Sequence, residues 1–313
     1  MSFDFTKETI QNALDQAYEE ARKSIGVGAM PDFIPALENL DPSRLSVCLT
    51  DLNGNLYTAG NYQGTFSVQS ISKAILFELA LREAGEAEVF AKVGVEPSGN
   101  RFNSFYRLEL LDKKPSNPFI NPGAIAMASC IRGSGVEDKF EKFRVLAGEL
   151  FGNPDLDWSR EVCQCEIETG HRNRALASIM LHNEVYTGDP EEYLEIYYRG
   201  CAMMVTAAQV SRFGAILAND GTLPGTDKQL IAPDHCRRLR AIMATCGMYD
   251  STGNYAVNVG IPGKSGSGGG IVAVARGKAG LGVYGPELDP CGNSVCGMKA
   301  LSFLADKLDL RVY

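Results

Sequence analysis

Phe66-Ser67-Val68-Gln69-Ser70-Ile71-Ser72-Lys73-Ala74 places a hydroxyl and an amine three residues apart where a helix begins. Positions i and i+3 share a helix face, so the Lys73 amine can fold back toward Ser70 while the N–H groups of the first turn remain unpaired. A serine hydroxyl is a poor nucleophile until a neighbouring base takes its proton. Lysine can serve as that base only when neutral, which burial and the positive end of a helix dipole both favour.

Outward from this stretch the chain reads as helix, hairpin, a long helical region, then a second strand pair and a closing helix. Ile10, Ala13, Leu14, Ala17 and Ala21 mark one face of a first helix over 7–24. Leu45-Ser46-Val47-Cys48-Leu49 alternates at period two, Asn53-Gly54 signals a tight turn, and Leu56-Tyr57-Thr58-Ala59 returns. The nucleophile segment opens a helix through Leu76, Leu79 and Leu81, and helical spacing dominates from 85 to 217. Within that region Asn117-Pro118-Phe119-Ile120-Asn121-Pro122-Gly123 is predicted not to be regular helix, since each proline removes a donor and restrains the residue before it. Such a loop suits side chains held toward a cleft. Ile271-Val272-Ala273-Val274-Ala275 and Leu281-Gly282-Val283-Tyr284 are strand-like, joined across Gly277-Lys278-Ala279-Gly280, and a helix over 294–308 closes the chain.

This order is explained most simply by one α/β (α+β) unit. A mostly antiparallel sheet assembled from both ends (1–70 and 220–313) is flanked by helices, and a mostly helical subdomain (71–219) is inserted, with a cleft between the two. The 313 residues, 45% hydrophobic and 22% charged, suffice for such a core. A formal net charge of -8 argues against nucleic acid or an anionic membrane surface as partner. The region around Met1-Ser2-Phe3-Asp4-Phe5 does not read as a leader, and no apolar run reaches the ~20 residues of a membrane span, so the expected location is cytoplasmic. The 9 cysteines are read as reduced core thiols. Cys163, Cys165, Glu166, Glu168 and His171 fall close together, but C-x-C without a second ligand pair does not match structural zinc sites. His182 and His235 stand alone, so no Ser-His-Asp arrangement is available and lysine is left as the base.

Far downstream lies Lys264-Ser265-Gly266, a K-S/T-G triplet just before the strand at Ile271. S-x-x-K and K-S/T-G together are the signature of serine enzymes of the β-lactamase and penicillin-binding type. The N–H groups of such a triplet, at a sheet edge, can face a developing oxyanion. The glycines of Lys264-Ser265-Gly266-Ser267-Gly268-Gly269-Gly270 feed a strand, whereas phosphate-cradling loops feed a helix, so they are read as permitting close backbone approach to a ligand.

Set beside Asn117 through Ala124 and Glu166 through Asn173, these strings make the chain resemble the bacterial serine-dependent glutaminases, which have the β-lactamase/transpeptidase-like fold. Phe33-Ile34-Pro35-Ala36-Leu37, Pro97-Ser98-Gly99, Phe102-Asn103-Ser104, Ala244-Thr245-Cys246-Gly247-Met248-Tyr249, Pro286-Glu287-Leu288-Asp289 and Gly292-Asn293-Ser294 extend the resemblance over almost the whole chain. It implies Ser70 as nucleophile, Lys73 as its base, and Tyr249 as a phenol relaying a proton to departing ammonia. Gln69, Asn121, Glu166, Asn173 and Tyr197 would grip the substrate's amino-acid head, with Tyr249 and Ser267 completing the pocket. The chemistry agrees, because a free amino acid brings an ammonium and a carboxylate that must both be satisfied outside water. Glu166 suits the ammonium, and amide and phenol donors suit the carboxylate.

The resemblance thus implies hydrolysis of L-glutamine to L-glutamate and ammonia through an acyl-enzyme, without metal or organic cofactor, by a homo-oligomer (dimer or tetramer). A penicillin-recognising D,D-peptidase or β-lactamase, or a catalytically weak amino-acid sensor, are the rival expectations. Two departures stand out. Phe33 replaces the family's tyrosine and loses a hydrogen bond to the substrate head, on the order of 1 kcal/mol. Ser267 replaces its valine beside the oxyanion wall.

Overall fold

The computed structural model describes residues 3–32, 34–38, 40–99, 103–104, 108 and 113–312. The Phe33 departure and Phe102 lie outside the described residues. Helix α1 (Lys7–Arg22) is capped by the Thr6 hydroxyl, which accepts from the Thr9 N–H, and buries the apolar face read from the sequence. A short α2 (Pro35–Glu38) precedes strands β1 (Ser46–Asp51) and β2 (Leu56–Gly60). Gly54 turns between them with φ +84°, and the Asp51 carboxylate accepts the Asn53 and Asn55 N–H groups.

A two-residue strand β3 (Phe66–Ser67) pairs with β4 (Met204–Val205). The Ser70 segment then makes one 3₁₀ turn (Gln69–Ile71) before α3 (Ser72–Lys92), which breaks at Gly85, φ +75°. Between α3 and β4 come α4 (Asn121–Ala128), α5 (Gly135–Phe151), α6 (Arg160–Thr169), α7 (His171–His182) and α8 (Pro190–Cys201). After β4 follow α9 (Ala207–Ala218), α10 (Pro233–Cys246), a 3₁₀ turn (Tyr249–Ser251) and α11 (Thr252–Asn258). Strands β5 (Gly263–Ser265), β6 (Gly270–Ala275) and β7 (Ala279–Tyr284), then α12 (Val295–Lys307), complete the described elements.

The prolines of 117–123 do not keep the whole stretch out of a helix. Asn121 opens α4 with Pro122 in its first turn, where the missing N–H would have had no intrahelical partner. Only 117–120 stays irregular.

The sheet has the order β2-β1-β7-β6-β5 and is antiparallel at every pairing. One face, carrying Val47, Leu49, Ile271, Ala273, Leu281 and Val283, packs with α1 and α12. The opposite face, carrying Cys48, Val272, Val274 and Tyr284, joins the core of the helices. Strands β6 and β7 are buried along their length, which is why they read as continuous apolar runs.

Helix α9 lies directly on that second face. A Cβ added at Gly280 would sit 1.8 Å from the Ala215 backbone nitrogen, and one at Gly282 2.1 Å from the Ala207 carbonyl. Glycine there permits contact between strand and helix backbones, supported by the buried Thr50 Oγ1 to Ser211 Oγ hydrogen bond of 2.7 Å. We expect Gly280→Ala to force α9 off the sheet and destabilise the protein by about 3 kcal/mol, read as a lowered denaturation midpoint at unchanged slope. An unshifted midpoint would refute this packing argument.

Candidate active site

The 3₁₀ turn that carries Ser70 sits on the β5–β6 loop. A Cβ on Gly266 would meet the Val68 carbonyl at 2.6 Å, and one on Gly268 the Ser67 carbonyl at 2.8 Å. The glycines of 264–270 therefore serve first to admit the backbone of the Ser70 segment. Gly266 accepts no side chain, the Gly266 N–H donates to the Gly270 carbonyl (2.8 Å), and the Gly269 N–H to Gly266 (2.9 Å). This tight turn leaves Ser267 facing the cleft.

Strand register decides where Lys264 points. Lys264 pairs with Val272, whose side chain joins the helical core, so the lysine enters the space between sheet and helices. Its amine is fully buried, donates to the Ser265 carbonyl at 2.5 Å and lies 4.5 Å from the centre of the Tyr249 ring. Burial, reinforced by the charge of Lys73, pulls Lys264 well below the usual lysine range.

Lys73, one turn into the helix from Ser70, is fully buried. Its amine donates to Asn121 Oδ1 at 2.7 Å and lies 5.6 Å from the Tyr197 ring centre. Burial lowers its pKa to about 8, opposed by the Cys201 thiol and the Glu166 carboxylate. Asn121 is held from two more sides: its amide donates to Asn173 Oδ1 (3.0 Å), and the Tyr197 hydroxyl donates to its Oδ1 (3.2 Å).

Helices α6 and α7 meet at Gly170, where an added Cβ would lie 2.2 Å from the Tyr198 hydroxyl. That tight junction brings Glu166, in the last turn of α6, and Asn173, in the first turn of α7, to the same side. Burial pushes the Glu166 carboxyl up to about 7, opposed by the Gln69 amide and Lys73. Gln69 Nε2 donates to Glu166 Oε1 at 3.1 Å.

Tyr249 closes the cleft from the α10 side. Its hydroxyl donates to the Ser265 carbonyl at 3.2 Å, with Ser70 and Ser267 beside it. Burial raises its pKa above the ordinary tyrosine value, partly offset by the contact with Ser70. Gln69 (φ +48°) and Tyr249 (φ +52°) both occupy the left-handed region, which costs a residue with a Cβ on the order of 1 kcal/mol each. The two strained residues flank the Ser70 hydroxyl.

All the residues read as a site from the sequence thus converge: Gln69, Ser70 and Lys73 from one segment, Asn121 from α4, Glu166 from α6, Asn173 from α7, Tyr197 from α8, Tyr249 from the turn after α10, and Ser267 from the β5–β6 loop. Sequence reasoning missed Cys201, whose buried thiol accepts from the Ser72 hydroxyl at 3.9 Å beside Lys73. A lone cysteine among nine carries no signal of its place. The Lys264 side chain was also missed, because the triplet was read for its backbone. Cys163, Cys165, Glu166, Glu168 and His171 do not form a metal-holding group among the described residues.

An ammonium-seeking carboxylate, a buried amine beside a serine, and a phenol over an N–H wall are groups that acyl transfer from a free amino acid requires. The glutaminase family model matches residues 28–313. Glutaminase 2 of Clostridium perfringens is 42% identical over 305 residues, 97% of this chain and all of that protein. The solved structure of a probable glutaminase, ybaS, superposes with a TM-score of 0.94 at 35% identity, covering 99% of both chains. A covalent complex between the Bacillus subtilis glutaminase YbgJ and 5-oxo-L-norleucine, formed by reaction with 6-diazo-5-oxo-L-norleucine, superposes with a TM-score of 0.88 at 34% identity over 97% of this chain and 99% of that one.

Proposed function

This chain belongs to the glutaminase family and is an amidohydrolase that converts L-glutamine to L-glutamate and ammonia, and we propose that it does so through an acyl-enzyme on Ser70. The observation that carries the proposal is the burial of Lys73 with its amine on Asn121, one turn from the Ser70 hydroxyl beside Tyr249. Neutral Lys73 takes the Ser70 proton, and Oγ attacks the side-chain amide carbon. The N–H groups of Ser70 and Ser267 stabilise the oxyanion. Tyr249 gives its proton to the leaving nitrogen and ammonia departs; water then attacks the ester, one of its protons restoring the Tyr249 hydroxyl while the proton held by Lys73 returns to Ser70 Oγ, and glutamate is released. The covalent adduct of the Bacillus subtilis relative supports a nucleophilic route.

Glu166 would hold the substrate ammonium, oriented by Gln69, while Asn121, Asn173 and Tyr197 would satisfy the carboxylate. We further propose the segments 1–70 with 220–313, and 71–219, as subdomains meeting at this cleft, a homo-oligomer, and a cytoplasmic location. No described helix is long and apolar enough to cross a membrane.

Ammonia release from glutamine, asparagine and a penicillin panel tests the reading. Turnover of glutamine with a pre-steady-state ammonia burst is expected if water attack is the slower step. Covalent labelling of Ser70 by a penicillin without glutamine turnover would overturn it. The pH dependence follows from the two shifted groups. Lys73 must be neutral, so activity rises with pH through about 8, and Glu166 must be ionised, so substrate capture rises through about 7. On log axes kcat/KM should steepen below pH 7 to a slope of about two and level off above both values. In Glu166→Gln the acid limb should flatten to a slope of about one, and a flat wild-type profile from pH 5 to 9 would count against both roles.

A further inference from the structure

A pocket of about 260 Å³ lies between the β1–β2 hairpin and the first turns of α9, and none of its lining residues is among those assigned to glutamine. Leu56 and Pro224 on one side, with Phe151 and Ala208 on the other, give it apolar walls, so it straddles the seam between the two proposed subdomains. Small-molecule pockets usually begin at about 300 Å³, and the smaller volume limits an occupant to the size of one short branched or aromatic group.

Arg212 is the one charged side chain in the lining among the described residues. Helix α5 ends at Gly152 in the left-handed region (φ +73°), and a Cβ there would meet Arg212 Nε at 2.4 Å, so the guanidinium lies against the end of that helix. Its Nη2 donates to the Glu149 carbonyl at 3.1 Å, while Nε is buried without a partner. The Glu149 carboxylate is held by Lys228 at 2.8 Å, and no carboxylate among the described residues forms an ion pair with Arg212. Burial pulls the guanidinium below the usual arginine range, opposed by the charge of Glu149. A half-buried cation with spare N–H groups and no counter-charge is stabilised by any anion that reaches it. The remaining polar side chains add donors. Gln209 spends Oε1 on the Thr206 N–H (2.9 Å), which leaves its amide nitrogen to donate, and the Thr50 hydroxyl is taken by Ser211 (2.7 Å).

We propose that this pocket binds a small monocarboxylate with an apolar body, of the size of benzoate or 3-methylbutanoate. The carboxylate accepts from Arg212 and from the Gln209 amide, and the body fills the space between Leu56, Phe151 and Pro224. Each alternative leaves something unmatched. Inorganic phosphate brings no apolar body to the walls, and an amine sets like charge against Arg212. An amino acid, glutamine and glutamate included, would bury its ammonium where no carboxylate receives it.

The test is calorimetry on the full chain with L-glutamate at saturation, titrating benzoate, benzyl alcohol, benzylamine and inorganic phosphate in turn. Benzoate is expected to bind one to one with a Kd of about 1 mM or lower, benzyl alcohol at least tenfold more weakly, and benzylamine not at all. Benzoate should also raise the thermal midpoint, as a ligand of the folded state does. Arg212→Met should weaken benzoate at least tenfold. That change also removes a bond to the end of α5, so Leu56→Trp serves as an independent variant. Leu56 is 47% exposed on β2, where a tryptophan is tolerated, and the larger ring fills the pocket without touching the arginine. It too should cut benzoate affinity at least tenfold. Benzyl alcohol binding as tightly as benzoate would overturn the carboxylate reading, and displacement of benzoate by phosphate would overturn the need for an apolar body. Benzoate binding that both variants retain, or no binding at tens of millimolar, would overturn the pocket itself.

Discussion

Ser70→Ala is expected to lower kcat on glutamine by on the order of 10⁴-fold or more, because the variant has no oxygen with which to form the ester. Glutamine should still bind. The groups assigned to its ammonium and carboxylate come from four separate helices, α4 and α6 to α8, and none depends on the Ser70 hydroxyl for its position. Calorimetry should therefore show an affinity within a few-fold of wild type with no ammonia produced. The alanine also leaves Tyr249 its bond to the Ser265 carbonyl, so the cleft keeps its wall. Near-normal turnover in Ser70→Ala would end the acyl-enzyme scheme.

Lys73→Met should be nearly as damaging to turnover and kinder to the fold. General-base catalysis contributes about 10²- to 10⁴-fold, and no other base stands one turn from Ser70, so a loss near 10³-fold in kcat with little change in KM is expected. Stability should be unchanged or higher. A fully buried amine is held out of water at a cost, and methionine fills similar volume without that cost, while Asn121 retains Tyr197 as a donor. Lys73→Arg should not rescue activity, since a guanidinium stays charged and cannot accept the proton. A Lys73→Met enzyme that loses stability in proportion to activity would show that the lysine acts as a structural strut, and that result would refute its role as base.

The elements whose signals are local were legible. The Asn53-Gly54 turn, the apolar face of α1 and the two apolar runs of β6 and β7 each follow from neighbouring residues. So did the site: S-x-x-K and K-S/T-G carry their spacing in the chain, and the family resemblance supplied Glu166, Asn173, Tyr197 and Tyr249.

What escaped depends on distant partners. Val210, Phe213 and Ile216 announce a helix, but nothing in them says that Gly214 will rest on β6 and β7 or that Ser211 will bond Thr50 of β1, 161 residues earlier in the chain. The left-handed conformations at Gln69 and Tyr249 are equally silent, because glutamine and tyrosine are not residues that advertise them. Pro122 misled for the opposite reason. Proline signals a break, yet one position inside a helix start it fits without loss.

Strand β1 lies at the centre of the hairpin read first, yet its second partner is β7, with Ser46 opposite Tyr284 and Asp51 opposite Ala279. The chain must therefore close loops of more than 200 residues before this strand acquires both neighbours. During synthesis the Ser70 segment emerges long before β5 and its glycine turn, on which it rests. A nascent chain stalled before Gly263 would hold Ser70 and Lys73, the proposed nucleophile and base, but not the proposed oxyanion wall, and would present β1 as an open apolar edge. Hydrolysis and a closed sheet thus arrive together, once β5 to β7 have been translated, and partial chains are expected to need a chaperone before they are capable of any turnover.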